Sequence, residues 1–244
     1  PALDEKTHKF CELNNYNVYF SPYLDKFGLG FMQHQMLITR KLLDLNYSVL
    51  ISDIDAIWLK DPLEFTLSTG TDLVFSPGTL QPFEAYSKWG NVLCSGYFLI
   101  RPSKRINKFL DKVQIRMKKE GDQPAINKEL ISRNLNWEND KNLYEVNHKR
   151  KKIKQSLYCR IGSAEDITVT LLPNWLFQRI REANDPLIFH PLSLKDCDDK
   201  LQVFRENGFL FGRAQRINNR FYSLLFLEKL IKDLLYKGKF YLFK

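Results

Sequence analysis

The sequence predicts an α/β sandwich, a mostly parallel buried sheet flanked by helices. Apolar, β-branched runs such as "YSVLISDIDAIWL" are bounded by turn residues, as strands are. These runs alternate with segments of helical period, and the alternation continues along the chain without an internal repeat or low-complexity stretch. Strands covered on both faces read as near-continuous apolar runs, which is how these read.

In chain order, residues 27–46 set Phe31, Gln35/Met36, Ile38, Leu42, Leu43 and Leu45 at helical spacing, with a basic pair near the middle, and predict a helix. Residues 47–59, bounded by Asn46 and by Asp61-Pro62, predict a buried central strand. Residues 71–78 predict a second strand ended by Pro77-Gly78, and 91–103 a third, interrupted at Ser95-Gly96. An amphipathic helix is expected over 104–119, and a helix with Pro124 in its first turn over 121–131. Residues 134–160 are polar and weakly patterned. Strands follow at 167–173 and 186–190, then a helix ending at Gly208 and a final amphipathic helix over 218–236.

Length and composition bound the rest. A chain of 244 residues with 10 prolines and 11 glycines suits one domain over 1–244, and 44% apolar residues are ample for its core. No apolar run reaches the roughly 18 residues of a membrane span. The excess of 37 Lys+Arg over 28 Asp+Glu gives +9, which favours anionic partners such as nucleotide diphosphates, nucleic acid or an acidic membrane surface. Cys11, Cys94, Cys159 and Cys197 are too scattered for a CxxC metal pattern. One or two disulfides and buried free thiols are both compatible with them. The chain opens on Pro1, so a fragment is expected, with any signal or anchor lost. Asn46-Tyr47-Ser48 is a glycosylation sequon only in a secretory compartment.

The chemistry concentrates at "SDID". On an extended strand Asp53 and Asp55 project to the same side at its carboxyl end, where open α/β sheets bind ligands. Two carboxylates that close repel unless a cation neutralises them, and hard oxygen ligands suit Mg²⁺ or Mn²⁺. Such an ion bridges nucleotide phosphates. The plainer alternative is a pair that caps a strand exit.

"LLDLNYSVLISDIDAIWLKDPLEF" closely resembles the core of the nucleotide-diphospho-sugar transferase family, GT-A enzymes with a plant xylosyltransferase and arabinosyltransferase branch. Asn46 stands where that family usually has Gly. "CSGYFLIRPS", with Cys94 in place of Asn, "DQPAIN", "LLPNWLF" and "IFHPLSLKDCDDKLQVFRENGFLF" resemble its later segments in the same order.

The resemblance implies a GT-A, Rossmann-like sheet whose first strand, before "PALDEKT", is missing, so the domain is N-terminally truncated. It implies Asp55 as a metal ligand, Asp53 on the ribose or the metal's water shell, and His190 completing the metal site, with Leu192 where Asn is usual. Arg40 would meet the donor diphosphate, Lys200, which matches the family's late Lys, would bind the donor, Ser95 and Gly96 would wall the sugar pocket, and Asp122 and Gln123 would lie by the anomeric carbon. Each has a plainer use: a helix surface charge for Arg40 and Lys200, a bulge for Ser95-Gly96, an N-cap for Asp122, a satisfied core residue for His190. Trp58 reads as core.

The expected activity is therefore metal-dependent transfer, with retention, of a sugar from a UDP-sugar to a hydroxyl of a glycan or protein. The family leans toward the Golgi lumen, with the cytoplasm as alternative, and any membrane attachment would come through an anchor absent from this chain. Rival readings are a catalytically degenerate transferase, a DxD phosphatase, which normally needs Thr or Val at the position of Ile57, and a basic nucleic-acid binder through "HKRKKIK" (148–154). That run lacks interleaved aromatics, and a solvated loop is the commoner account of it.

Overall fold

The computed structural model describes residues 5–15, 18, 29–138, 143–148, 151–181, 185–192, 197–209 and 241–243. In chain order its elements begin with helices α1 (Glu5–Leu13) and α2 (Leu29–Asp44), strands β1 (Ser48–Ser52) and β2 (Ile57–Trp58), helix α3 (Leu63–Ser68) and strand β3 (Leu73–Pro77). Helix α4 (Phe83–Trp89), strand β4 (Leu93–Ile100), and helices α5 (Lys104–Arg116) and α6 (Asp122–Ser132) follow. Then come strands β5 (Asn136–Trp137), β6 (Leu143–His148), β7 (Lys151–Ser156), β8 (Arg160–Ala164), β9 (Ile167–Leu171), β10 (Phe177–Gln178) and β11 (Ile188–Phe189), helix α7 (Cys197–Glu206) and strand β12 (Tyr241–Phe243).

Seven strands form one sheet in the order β12-β1-β4-β3-β9-β8-β5. Alternation along its strands divides the core in two. Val49, Ile51, Leu73, Phe75, Phe98, Ile100, Val169 and Leu171 face one side, packed with residues of α2, α4, α5 and α6 such as Met36, Trp89, Phe109 and Ile126. Leu50, Val74, Tyr97 and Leu99 face the other, against Phe177 and Ile188 of a small sheet β10-β11-β2 and the apolar side of α3. Both faces are dry, which is why these strands carry few polar residues. Each large aliphatic buried this way contributes about 1.5–3 kcal/mol.

The α/β class holds, but the sheet is not mostly parallel. Among the described residues only β3 and β9 pair in parallel within the large sheet, because β4 returns through α4 and inserts antiparallel between β1 and β3. Strand β1 is next to the described edge, since β12 pairs with its outer side.

Helix α2 ends where the sequence is locally decisive. Asn46 adopts a left-handed φ of 65°, with its N–H on Leu43 O at 2.9 Å and the Tyr47 N–H on Leu42 O at 3.1 Å. That is a Schellman cap, and asparagine is the residue after glycine that tolerates it. Helix α7 ends in the same way on Gly208, φ 71°.

Two regions depart from the sequence-based expectation. Residues 134–160 are not unpatterned: β6 and β7 pair as an antiparallel two-stranded sheet. The basic run lies largely on β7, where Ile153 and Gln155 are buried between the exposed Lys152 and Lys154. The Tyr86 hydroxyl donates to Lys152 O and accepts from Lys154 N, tying β7 to α4. Residues 151–154 of the run are thus strand and not a solvated loop. The expected helix over 218–236 lies outside the described residues. No helix among the described residues is long and apolar enough to cross a membrane.

Candidate metal and donor site

Strand β1 stops at Ser52, one residue before the aspartate pair. Asp53 and Asp55 sit in a turn closed by the Ala56 N–H on Asp53 O at 3.0 Å, and the chain re-enters β structure at Ile57 in the other sheet. Strand alternation is therefore not what aligns the carboxylates. The turn does, pinned from behind by the Asp53 N–H on Gly96 O at 2.6 Å.

Gly96 belongs to a bulge. Phe75 pairs with Phe98, but the next residue, Ser76, pairs with Cys94, so Ser95, Gly96 and Tyr97 are extra on β4. Bulges re-aim a strand beside functional sites. A Cβ on Gly96 would meet His190 Cε1 at 2.1 Å and Asp53 Oδ2 at 2.6 Å, so the missing side chain is the space these two groups fill. The plainer expectation for Ser95-Gly96, a bulge, holds, and the groups that approach Gly96 closely are the chain's own His190 and Asp53.

His190 arrives from the end of β11, its N–H on Gln178 O at 2.9 Å and its ring buried. Its Nε2 lies 3.2 Å from Asp55 Oδ1 and 3.8 Å from Asp53 Oδ2. One ligand atom from each of the three residues lies within 4.8 Å of the others. Two carboxylates and an imidazole suit Mn²⁺ and also accept Mg²⁺.

The electrostatics are uneven. Crowding of the Asp53 carboxyl raises it to about 6; the charges of Asp55 and Asp122 add to this, while His190 and Arg179 oppose it. Half of that side chain's surface is open, but its Oδ2 is turned inward against Gly96 and His190, so local desolvation of the carboxyl prevails. Burial alone would raise Asp55 too, yet the hydrogen bonds and charges of His190 and Lys200 hold it well below the usual carboxylate range. Lys200 Nζ contacts Asp55 Oδ2 directly.

Helix α6 brings the second group. Asp122, the first residue of α6, accepts from the Gln123 N–H at 2.7 Å and from the Ser95 hydroxyl, and burial raises its carboxyl above the ordinary value. Gln123 Oε1 accepts from the Ser95 N–H at 3.3 Å, and its Nε2 donates to Gln81 O at 2.6 Å. Asn127, buried one turn along, anchors the helix to β4: Oδ1 accepts from Leu93 N at 3.0 Å, and Nδ2 donates to Leu93 O and Gln123 O, both at 2.8 Å.

A model of the nucleotide-diphospho-sugar transferase family matches residues 1–204. The chain belongs to the nucleotide-diphospho-sugar transferase family. Among curated proteins it is similar to the β-arabinofuranosyltransferase RAY1 of Arabidopsis thaliana, 28% identical over a 124-residue alignment that covers 46% of this chain and 23% of that protein. The match thus spans about a quarter of the relative's length. No solved structure matches.

Within this transferase chain the residues expected at the site divide clearly. Asp53, Asp55 and His190 converge; Ser95, Gly96, Asp122 and Gln123 adjoin them; Lys200 is held on Asp55. Arg40 is not brought there. Its guanidinium bonds Asn107 O at 2.9 Å and pairs with Asp44 and Asp111, joining α2 to α5. Those contacts lie toward the start of β1 and the end of β4, and the carboxylates lie at the opposite end of β1. Two neighbours were not foreseen. Arg179 Nη1 contacts His190 Nδ1 and lies 3.3 Å from Cys94 Sγ, and Cys94 Sγ is 3.8 Å from His190 Nδ1. Burial would raise the Cys94 thiol, but Arg179 and His190 lower it overall. Burial and Arg179 press the His190 pKa down, and the hydrogen bonds to Asp55 and Cys94 more than offset them. Nothing in "FQRIRE" distinguishes Arg179 from its basic neighbour Arg181, whose guanidinium stacks 5.6 Å from the Phe209 ring.

Proposed function

We propose that this chain transfers a sugar from a nucleoside diphosphate, UDP, to a hydroxyl of a glycan or protein with retention of anomeric configuration. The observation that supports this best is the convergence of Asp53, Asp55 and His190 over the Gly96 floor, beside Asp122. Asp55 and His190, with Asp53, would hold Mn²⁺ or Mg²⁺. A divalent ion there supplies charge for the diphosphate leaving group.

The chain's own groups account for the rest. Lys200 adds a positive charge for the phosphates. Asp122 orients sugar hydroxyls and stabilises positive charge developing at the anomeric carbon, as carboxylates do in glycoside chemistry. The Gln123 amide holds Ser95 and the 81–82 loop around it. The acceptor oxygen bonds to the anomeric carbon as the bond to the diphosphate breaks, and the acceptor proton passes to the departing phosphate oxygen. Arabinofuranose, the sugar in the relative's name, is the first donor to try. The compartment proposed is the Golgi lumen, toward which the family leans.

The test is isothermal titration of UDP with and without Mn²⁺, repeated on Asp55→Ala. Manganese-dependent binding that the variant loses is expected. Equal UDP binding with and without the ion, or in both proteins, would sink the proposal.

A further inference from the structure

Strands β1, β3 and β9 run in the same direction, since β4 is antiparallel to both β1 and β3, and β9 is parallel to β3. Their carboxyl ends therefore share one edge of the sheet, and the loops that leave it carry the aspartate pair, Gln81 and Trp175. Exposed apolar side chains gather at this edge. Ile54 stands between the two aspartates, and Phe83 begins α4 two residues after Gln81. Leu157, whose carbonyl accepts from Trp175 Nε1 at 2.9 Å, leads into the exposed Tyr158.

Phe83 is the member placed against the sugar pocket, because Gln81 O is held by Gln123, next to Asp122. Along α4, Phe83, Tyr86 and the C-cap Gly90 share one face at spacings of three and four. The β6–β7 hairpin covers the far part of that face. A Cβ on Gly90 would meet the Leu143 and Lys154 side chains, both at 3.1 Å, and the Tyr86 hydroxyl bridges Lys152 O and Lys154 N. The cover stops short of Phe83, which is 64% exposed.

Lys152 and Lys154 are exposed on the side of β7 opposite the buried Ile153 and Gln155. Among the described ion pairs Lys154 has none, and Lys152 has only Glu145, across the hairpin at 3.4 Å. Tyr86 fixes the strand that carries them, and so does Asn174, whose Oδ1 accepts from Ser156 N at 2.6 Å. Two cations are thus held roughly 5–10 Å along α4 from an open aromatic ring.

Resting on the reading of Asp122 and its neighbours as the donor pocket, we propose that the acceptor is an acidic glycan. Its terminal sugar lays a C–H face on the Phe83 ring, whose own face is negative, and carboxylates on the units behind it meet Lys152 and Lys154. The surface is continuous with the pocket that delivers the sugar, so its occupant is the molecule that receives it. Fixed lysines beside that path select for negative charge on the incoming chain.

The probe is a short oligomer of galacturonic acid, compared with its methyl ester by titration calorimetry on the whole chain saturated with UDP and Mn²⁺. The acid should bind about tenfold tighter than the ester, and the margin should shrink at high salt. Lys152→Gln combined with Lys154→Gln should bring acid and ester to equal affinity. Phe83→Ala should weaken both about fivefold, and Phe83→Tyr should restore them. All three side chains are exposed, so the variants should fold and bind UDP with Mn²⁺ as the wild type does. Equal binding of acid and ester by the wild type overturns the proposal, as does a margin that survives the lysine changes or an affinity that Phe83→Ala leaves intact. Tighter binding of DNA or of phosphatidylserine vesicles than of the acid would assign the lysines to another polyanion and overturn it too. If UDP with Mn²⁺ does not bind the wild type, the donor-site reading fails first and the acceptor reading falls with it.

Discussion

The ring of His190 fills the space a side chain on Gly96 would need: a Cβ there would lie 2.1 Å from His190 Cε1. His190 is buried and its backbone is tied to β10, so the ring has little room to retreat. Gly96→Ala should therefore displace the imidazole and the Asp53 carboxyl together. Expected is loss of Mn²⁺-dependent UDP binding by titration calorimetry, with a stability cost of about 1–3 kcal/mol by denaturant unfolding. Retained binding at wild-type affinity would show that the floor of the site yields.

Mn²⁺ affinity should fall as pH drops through about 6, because the Asp53 carboxyl takes up a proton there. The sign for folding runs the other way. A carboxyl raised from 3.8 to about 6 is protonated more in the folded than in the unfolded chain between those values, so its contribution to stability declines as pH rises across that window. Mn²⁺ titrations from pH 5 to pH 8, paired with metal-free unfolding curves, should show the two opposite slopes. Asp53→Asn should flatten both.

Asp72 supplies the contrasting case far from the cluster. It accepts from Thr168 N and Oγ1, both at 2.8 Å, and pairs with Arg105 at 2.8 Å. Burial alone would raise its carboxyl, but those partners outweigh it and lower the pKa from 3.8. Its contribution to stability is full above the unfolded value and is lost as pH falls through the folded one. Asp72→Ala leaves the Thr168 N–H without its acceptor and should cost about 1–3 kcal/mol at neutral pH. The penalty should shrink in strong acid, as read from thermal midpoints across pH.

Arg40→Ala should leave UDP and Mn²⁺ binding unchanged. Its partners Asp44 and Asp111 are more than half exposed, so the loss in stability should be about 1 kcal/mol or less. A tenfold loss of UDP affinity in calorimetry would return Arg40 to the site.

Local chemistry was legible where neighbours in sequence decide the outcome. The spacing of apolar residues located α2, and Asn46 marked its end because a side chain that tolerates positive φ was needed there. Ser95-Gly96 announced an interruption of β4 for a similar reason, since glycine admits what a Cβ would block. In the 134–160 region the alternation of Lys152, Ile153, Lys154 and Gln155 was a strand signal, but the buried members include polar residues and the hydrophobic period is faint. The antiparallel direction of β4 had no local signal at all. A strand's composition records burial on both faces, which parallel and antiparallel neighbours provide equally when helices cover the sheet.

Residue chemistry nominated only the aspartate pair, as two carboxylates at the end of an apolar strand that a cation would neutralise; His190, a plausible core residue by itself, was nominated by the ordered motifs that resemble the family. Which of them meet was settled by the fold: the bulge in β4 opens the space, β11 delivers His190 into it, and α6 docks Asp122 beside it through Asn127. Arg179 and Cys94 join the cluster, and Arg40 leaves it, for the same reason. A charge is as soluble on one helix or strand end as on another, so nothing in the local sequence records its partner, and only the order of strands in the sheet brings distant residues within bonding distance.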